Sequence, residues 1–367
     1  MKISRVEASY LANVPTTPPP YRKEPSKGNM MVLEIETEDG LLGYAPGGVL
    51  ATPTTVGFIN KQMAPALIGQ DPLLIERIWN ELTLRFMPRA YSSVWVGALS
   101  AIDIALWDIR GKCFNQPVWK LLGGARSKIP AYATFGLPPI YPLEELVAEA
   151  KYFASQGYER FKVNVGRFTH TQGPDEDASR VKALREALGD RAQIMMDSFC
   201  HMSGPEALRL CKLSEPYNVT FFEEPVYNDD AKVMADLRKR TSVPLASGQT
   251  HQWSYVQLLM NDAVDYLQPN VANDGGYTAG LKIAAMAQAF NIPIAHGNGS
   301  GPTNLHLYAG VANGGVLELH YINWMVYEGV FKSVPKPLNG WVEAPEASGV
   351  GLEPKEGIIR EHRQEAT

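Results

Sequence analysis

Cysteine is scarce: the 367-residue chain holds three, Cys113, Cys200 and Cys211, an odd number without CxxC spacing. That excludes a disulfide framework and a thiolate zinc site and leaves reduced thiols. Basic charge is not in surplus, since 34 Lys and Arg face 39 Asp and Glu for a net −5. Nothing therefore marks a nucleic acid or an anionic membrane as partner. No stretch approaches the roughly 20 apolar residues of a membrane span. The opening MKISRVEASYLANVP has no unbroken apolar segment of a secretory signal, so the chain reads as cytosolic.

What is present is ordinary for a globular protein with a sizeable core: 45% hydrophobic and 20% charged residues. The length fits one large barrel-like unit or two domains. In MMVLEIETEDGLLGYA, Met31, Leu33 and Ile35 alternate with Glu34 and Glu36 before a turn at Asp39-Gly40, predicting an antiparallel hairpin. Before it, ANVPTTPPPYRKEPSKG is too rich in proline for helix or central strand. It reads as a loop, whose Tyr21, Arg22, Lys23 and Lys27 stand to close over an anionic ligand. Asp71-Pro72 starts a helix carrying Leu74, Ile75, Ile78 and Leu82. A longer helix has Leu99, Ile102, Leu106 and Ile109 as its stripe, with Asp103, Asp108 and Arg110 off it. Residues 1–125 thus read as an α+β unit.

From residue 126 onward, eight β-rich runs recur with helical stretches between them: IPAYATF, RFKVNVG, AQIMMDSF, VTFFEEPV, VPLASGQT, VDYLQPNV, IPIAHGN and VLELHYI. Each interval suits one strand and one helix, which makes an α/β barrel the leading fold. A doubly wound sheet competes, but no GxGxxG follows the first run.

Side chains at the carboxyl ends of barrel strands share one mouth. The runs place there Lys162 and Asn164, Asp197, Glu223 and Glu224, Gln249 and His251, Asn270, His296, and Glu318. Any one acid after a strand is commonly a helix cap, but several converging carboxylates need a cation or proton between them. Hard oxygen donors without clustered Cys or paired His suit Mg²⁺ rather than zinc. Such an ion beside Lys162 and His296 would stabilise the enediolate formed when a proton leaves the carbon next to a carboxylate. Glu318, flanked by Leu317 and Leu319 of opposite parity, is expected to face inward with its pKa raised by burial, as an acid. His296 is expected to act as base or acid, and Asp274 to cap a helix. Phe199, Tyr21 and Trp324 are expected to wall the pocket.

These residues resemble the enolase superfamily, in its mandelate racemase and muconate lactonizing enzyme branch. The likeness is carried by SAIDIALWDIRGKCFNQPVWKLLGG, FKVNVG, MMDSF, FFEEP and LQPNVANDGG followed by IPIAHGN. It implies a (β/α)7β TIM-like barrel over residues 126–322, with an α+β cap built from residues 1–125 and a returning segment 323–367. By the same resemblance Asp197, Glu223 and Gln249 fall on the metal ligands, Gln249 standing where the family usually has Glu. Lys162 falls on the lysine near the substrate carboxylate. Asn164 replaces the proton-abstracting lysine, and Asn270 the aspartate that orients the histidine. His296 lies one residue early. KxN also resembles the galactonate-dehydratase-like sugar-acid dehydratases. The implied activity is Mg²⁺-dependent dehydration of a sugar acid, with a homo-oligomer as the assembly and a small carboxylate as substrate. Tyr21, Arg22, His251 and Asn270 are its candidate contacts. A racemase or cycloisomerase, or a barrel that only binds an acid, is the alternative.

Overall fold

The computed structural model describes residues 1–17, 26–48, 51–86, 93–136, 142–166, 172–248 and 254–364. Its first sheet is antiparallel, with β1 (Ile3–Thr16), β2 (Ser26–Thr37) and β3 (Leu42–Pro46) in that order. Met31, Leu33 and Ile35 are buried, as their alternation requires. The proline-rich segment departs from the expected loop: β1 runs through Pro15, opposite Lys27, and β2 already begins at Ser26. Proline is tolerated because β1 lies at the edge of this sheet and Pro15 need not donate a second ladder bond.

The long helix Ser93–Cys113 packs against this sheet at Gly43, where a Cβ would come within 2.5 Å of the Ala105 carbonyl. Leu99, Ile102, Leu106 and Ile109 are buried, but so are Asp103 and Asp108. Apolar patterning places these acids off the stripe, yet the helix is covered on several sides and each finds a tertiary partner. Asp108 accepts from the backbone amides of Tyr44 (2.9 Å) and Val350 (2.7 Å), and Asp103 from that of Thr278 (3.1 Å). They pin the helix to β3, to the chain's last segment and to the barrel.

The barrel strands are β4 (Lys128–Phe135), β5 (Arg160–Asn164), β6 (Gln193–Asp197), β7 (Val219–Glu223), β8 (Leu245–Ser247), β9 (Tyr266–Leu267) and β10 (Leu317–His320). They pair in parallel from β4 to β9, and β10 returns to β4. The IPIAHGN run closes the ring through single bridges, Leu267 to Ile294 and Ile294 to Gly314. Tyr132, Met195, Phe221, Ala246 and Ala295 form a separate cluster from alternate positions of these strands. This is the packed interior; neighbours of opposite parity, such as Phe161, Met196, Leu245 and Ile294, belong to the core under the helices.

Finally β11 (Trp341–Glu343) pairs antiparallel with β4. The chain then runs back to the first sheet, where Arg363 bridges Leu11 and the Gln364 amide donates to the Tyr10 carbonyl at 2.8 Å. Among the described residues no helix is long and apolar enough to cross a membrane.

Candidate active site

Strand parity assembles the site. Lys162, Asp197, Glu223 and Glu318 sit on β5, β6, β7 and β10 at the interior-facing parity. All four are essentially inaccessible. The Lys162 Nζ lies 3.0 Å from Asp197 Oδ2, 2.8 Å from Glu223 Oε2 and 2.9 Å from Glu318 Oε1. The ring of Tyr132 lies 5.3 Å from the same ammonium. Burial alone would favour the neutral amine, but Asp197, Glu223 and Glu318 outweigh it and hold the lysine charged.

One ammonium does not balance three carboxylates: with all three ionised, +1 − 3 would leave −2 in a buried cluster. The strain appears in the acids. Burial and then Asp197 push Glu223 up to about 8, and burial raises Asp197 despite Lys162. Asp197 Oδ1 accepts from the Phe199 amide at 3.0 Å, and Glu223 Oε2 from Gln268 Nε2 at 2.9 Å. Hard oxygen donors whose ionised forms one ammonium cannot balance fit a divalent cation such as Mg²⁺, which would bring the raised carboxyls back to their charged state. Asn164 adds to this: its carboxamide is buried, and neither polar atom has a partner among the described residues. An unpaired buried amide costs about 1–3 kcal/mol, so the site is built for a ligand it can bond.

Glu318 corrects an expectation. It faces inward, but its carboxyl is held near 2, not raised. Burial works upward and is overcome by Lys162, His320 and His296, and by the Thr134 hydroxyl, which donates at 2.5 Å. The Gly299 amide donates to its other oxygen at 2.7 Å. Glu318 is therefore a fixed anion and a poor proton donor.

His296 departs from the expected inward parity, although its Nε2 is buried with no hydrogen-bond partner among the described residues. Ala295 occupies the interior cluster, so His296 has the opposite parity. Its ring packs edge-on against Tyr308 of the helix Gly301–Gly310, with centroids 5.5 Å apart. A shift of one residue along a strand exchanges the two faces, and the early position of this histidine in the run is such a shift. Its Nδ1 accepts from the Glu318 amide at 3.1 Å, and burial lowers its pKa to about 4.

Asn270, expected to meet substrate, is committed to the loop after the IPIAH run. Its Nδ2 donates to the carbonyls of Gly297 (2.8 Å), Asn298 (3.2 Å) and Gly299 (3.3 Å). Its Oδ1 accepts from Asn304 and from the Ala272 amide. An aspartate could accept but not donate here. Asp274 does not cap the helix as expected; it accepts from the Asn270 amide and the Tyr255 hydroxyl. Trp324 lines a different cavity, of about 330 Å³, with Tyr152, Tyr321 and Leu338. Tyr21, Arg22, Gln249 and His251 lie outside the described residues.

Sequence reasoning missed Thr134, Gln268 and His320. Parity in VLELHYI was available: the rule that turns Glu318 inward also turns His320 inward, two residues on. Apart from this mouth, one other group of possible ligand atoms lies close together among the described residues: Cys200, Glu224 and Asp229, on the loops beyond Asp197 and Glu223.

This geometry sits within a matched family frame. The mandelate racemase / muconate lactonizing enzyme N-terminal domain model matches residues 16–123, and the enolase C-terminal domain-like model matches residues 145–358. The chain belongs to the mandelate racemase / muconate lactonizing enzyme family. The arabinonate dehydratase of Saccharolobus solfataricus is 32% identical over 345 residues, covering 91% of this chain and 90% of that protein. The crystal structure of 3,6-anhydro-D-galactonate cycloisomerase from Zobellia galactanivorans is 29% identical with a TM-score of 0.87 and covers 100% of both chains. A racemase from Streptomyces coelicolor A3(2) with bound magnesium is 26% identical with a TM-score of 0.88, covering 99% of this chain and 100% of that one. These family members differ in the reaction they carry out on a shared barrel.

Proposed function

We propose that the protein is a Mg²⁺-dependent sugar-acid dehydratase, which removes the proton next to a carboxylate and expels the neighbouring hydroxyl as water. The observation that carries the reading is the buried Lys162–Asp197–Glu223–Glu318 cluster, in which one ammonium faces three carboxyl groups. The arabinonate dehydratase relative, 32% identical over nearly the whole chain, supports the reaction class. Magnesium in a family structure supports the ion.

Asp197, Glu223 and Gln249 would hold the cation, which supplies positive charge against the second negative charge that develops on the substrate carboxylate. Lys162 keeps its ammonium beside that charge. Glu318 fixes Lys162 and, through the Gly299 amide, the loop after the IPIAH run. Asn164 presents an uncommitted amide on the face where a second base would stand. An amide cannot move a proton, which favours elimination over racemization, since racemization needs a proton-transfer group on each face. The sugar-acid contacts are assigned to Tyr21, Arg22 and His251.

The test is incubation of the protein with a panel of aldonic and uronic acids, with Mg²⁺ or with EDTA, followed by detection of 2-oxo acids. Formation of a 2-oxo-3-deoxy acid that needs Mg²⁺ is the expected result. Solvent deuterium entering a hydroxy acid with no ketone formed would replace the reading by a racemase. Sedimentation of the same preparation reads the homo-oligomer implied by the family likeness.

A further inference from the structure

Elimination of water needs a group that takes a proton from carbon and gives one to the departing oxygen. The groups already described do not serve. Lys162 is held as an ammonium by three carboxylates, and Glu318 as an anion by four neighbours. Asp197 and Glu223 are assigned to the cation, and Asn164 does not titrate; His296 keeps a buried Nε2 with no partner among the described residues, but its ring lies edge-on to Tyr308, on the parity opposite to the interior cluster, with Nδ1 engaged by the Glu318 amide.

His320 differs from all of these. It follows Glu318 by two positions on β10, so it shares the inward face. Its register partner on β4 is Thr134, which itself pairs with Lys162 on β5, so His320 lies in the same register row as Lys162, at the carboxyl end of β10. It is partly exposed, whereas Lys162, Asp197, Glu223 and Glu318 are closed off. Glu318, Lys162 and Asp197 are the charged groups that act on it. The ring also caps the helix Tyr321–Val330, where its Nδ1 lies 3.4 Å from the Asn323 amide nitrogen. Burial lowers the pKa of the ring, and Glu318 and the residue's own backbone carbonyl work the other way. The Asn323 contact makes Nδ1 an acceptor; it is long, and giving it up allows the tautomer with its proton on Nδ1, which leaves the Nε2 lone pair for the mouth.

We propose that His320 is the proton-transferring catalytic residue of this site, in the place the family likeness would give to His296. The inference rests on the dehydratase reading. His320 Nε2 takes the proton from the carbon next to the carboxylate, and the electron pair of that C–H bond moves onto the carboxylate as an enediolate; the pair then returns to form the new C=C bond as the neighbouring C–O bond breaks. The same proton passes from the imidazolium to the departing hydroxyl, giving water. The enol left behind becomes the 2-oxo-3-deoxy acid, and the imidazole is neutral again. One base that acts twice on one face requires no titratable group at Asn164.

The test compares His320→Asn, which retains a helix-capping side chain, with His320→Ala and His296→Gln, all in Mg²⁺ with a sugar acid that the wild-type protein dehydrates. General acid–base catalysis contributes about 10²- to 10⁴-fold. His320→Asn should therefore lose at least 100-fold in kcat and in deuterium exchange at the α-carbon, while the Kd for the acid stays within threefold. Added imidazole should restore at least tenfold of the activity of His320→Ala, and His296→Gln should keep kcat within tenfold. Turnover of His320→Asn within tenfold of wild type, or a greater loss in His296→Gln than in His320→Asn, overturns the assignment and leaves the dehydratase reading standing. Wild-type protein inert toward every acid, with no α-exchange, overturns both.

Discussion

Replacing Lys162 with methionine keeps most of the side-chain length and removes the ammonium that touches three buried carboxylates. Breaking one buried ion pair by deleting a partner costs about 3–5 kcal/mol, because the remaining charge is left uncompensated. Here three carboxylates are left, so the cost in metal-free protein at pH 8 should reach about 5 kcal/mol, a large share of a typical domain's stability. The sign follows from the protons. Without the ammonium, the folded-state pKa values of Asp197 and Glu223 rise further above those of the unfolded chain. The folded state then binds protons the unfolded state does not, so the deficit shrinks as pH falls. A divalent cation should repair it in the same way. Urea unfolding of the wild type and Lys162→Met, at pH 8 with EDTA, at pH 8 with millimolar Mg²⁺, and at pH 5.5 with EDTA, reads all three cases. The loss should be largest in the first. An equal loss under all three conditions would mean that Lys162 contributes only packing, and the electrostatic account of the site would fail.

Three further outcomes are expected. His296 and His306 both have folded pKa values lowered to about 4 by burial, against an ordinary value near 6.5. The unfolded chain takes up protons that the folded one refuses, so stability is intact above pH 6.5 and falls through pH 4 by about 3 kcal/mol for each ring; denaturation across this range should be shallower in His306→Gln, and an unchanged slope counts against it. Asn270→Asp should destabilise by about 2–3 kcal/mol, because a carboxylate would face three carbonyls it cannot donate to; a variant as stable as wild type and more active would favour the orienting role that the family likeness suggests. Burial raises the Cys211 thiol to about 12 and the Cys200 thiol further. A disulfide reagent at pH 8 should therefore label the partly exposed Cys113 first, with Cys211 reacting only on unfolding.

The barrel was legible because each strand is a short β-rich run of its own, and the acids at the ends of β6 and β7 needed only parity to be placed. Edge strand β1 was hidden by Pro15, since a proline-rich segment has the same composition whether it loops or lies along a sheet margin. Asp103 and Asp108 looked like surface positions because local patterning cannot see a partner such as Val350, far along the chain. The histidines illustrate the same limit at finer scale. His296 matched the family spacing to within one residue, but on a strand one residue is a change of face. His320 matched no motif, yet alternation from Glu318 would have found it. The direction of Glu318's pKa depended on Lys162, Thr134 and the Gly299 amide arriving together from distant strands, which no single run of sequence encodes.

The antiparallel sheet that opens the chain is completed by the segment around Arg363 and Gln364, which bonds to Tyr10 and Leu11. During translation β1 leaves the ribosome before the barrel, and the strip that covers it leaves after the barrel. The margin of β1 is therefore bare throughout synthesis of the barrel, exposed to pairing with other nascent chains, and a shielding chaperone would have its greatest effect on yield at that stage.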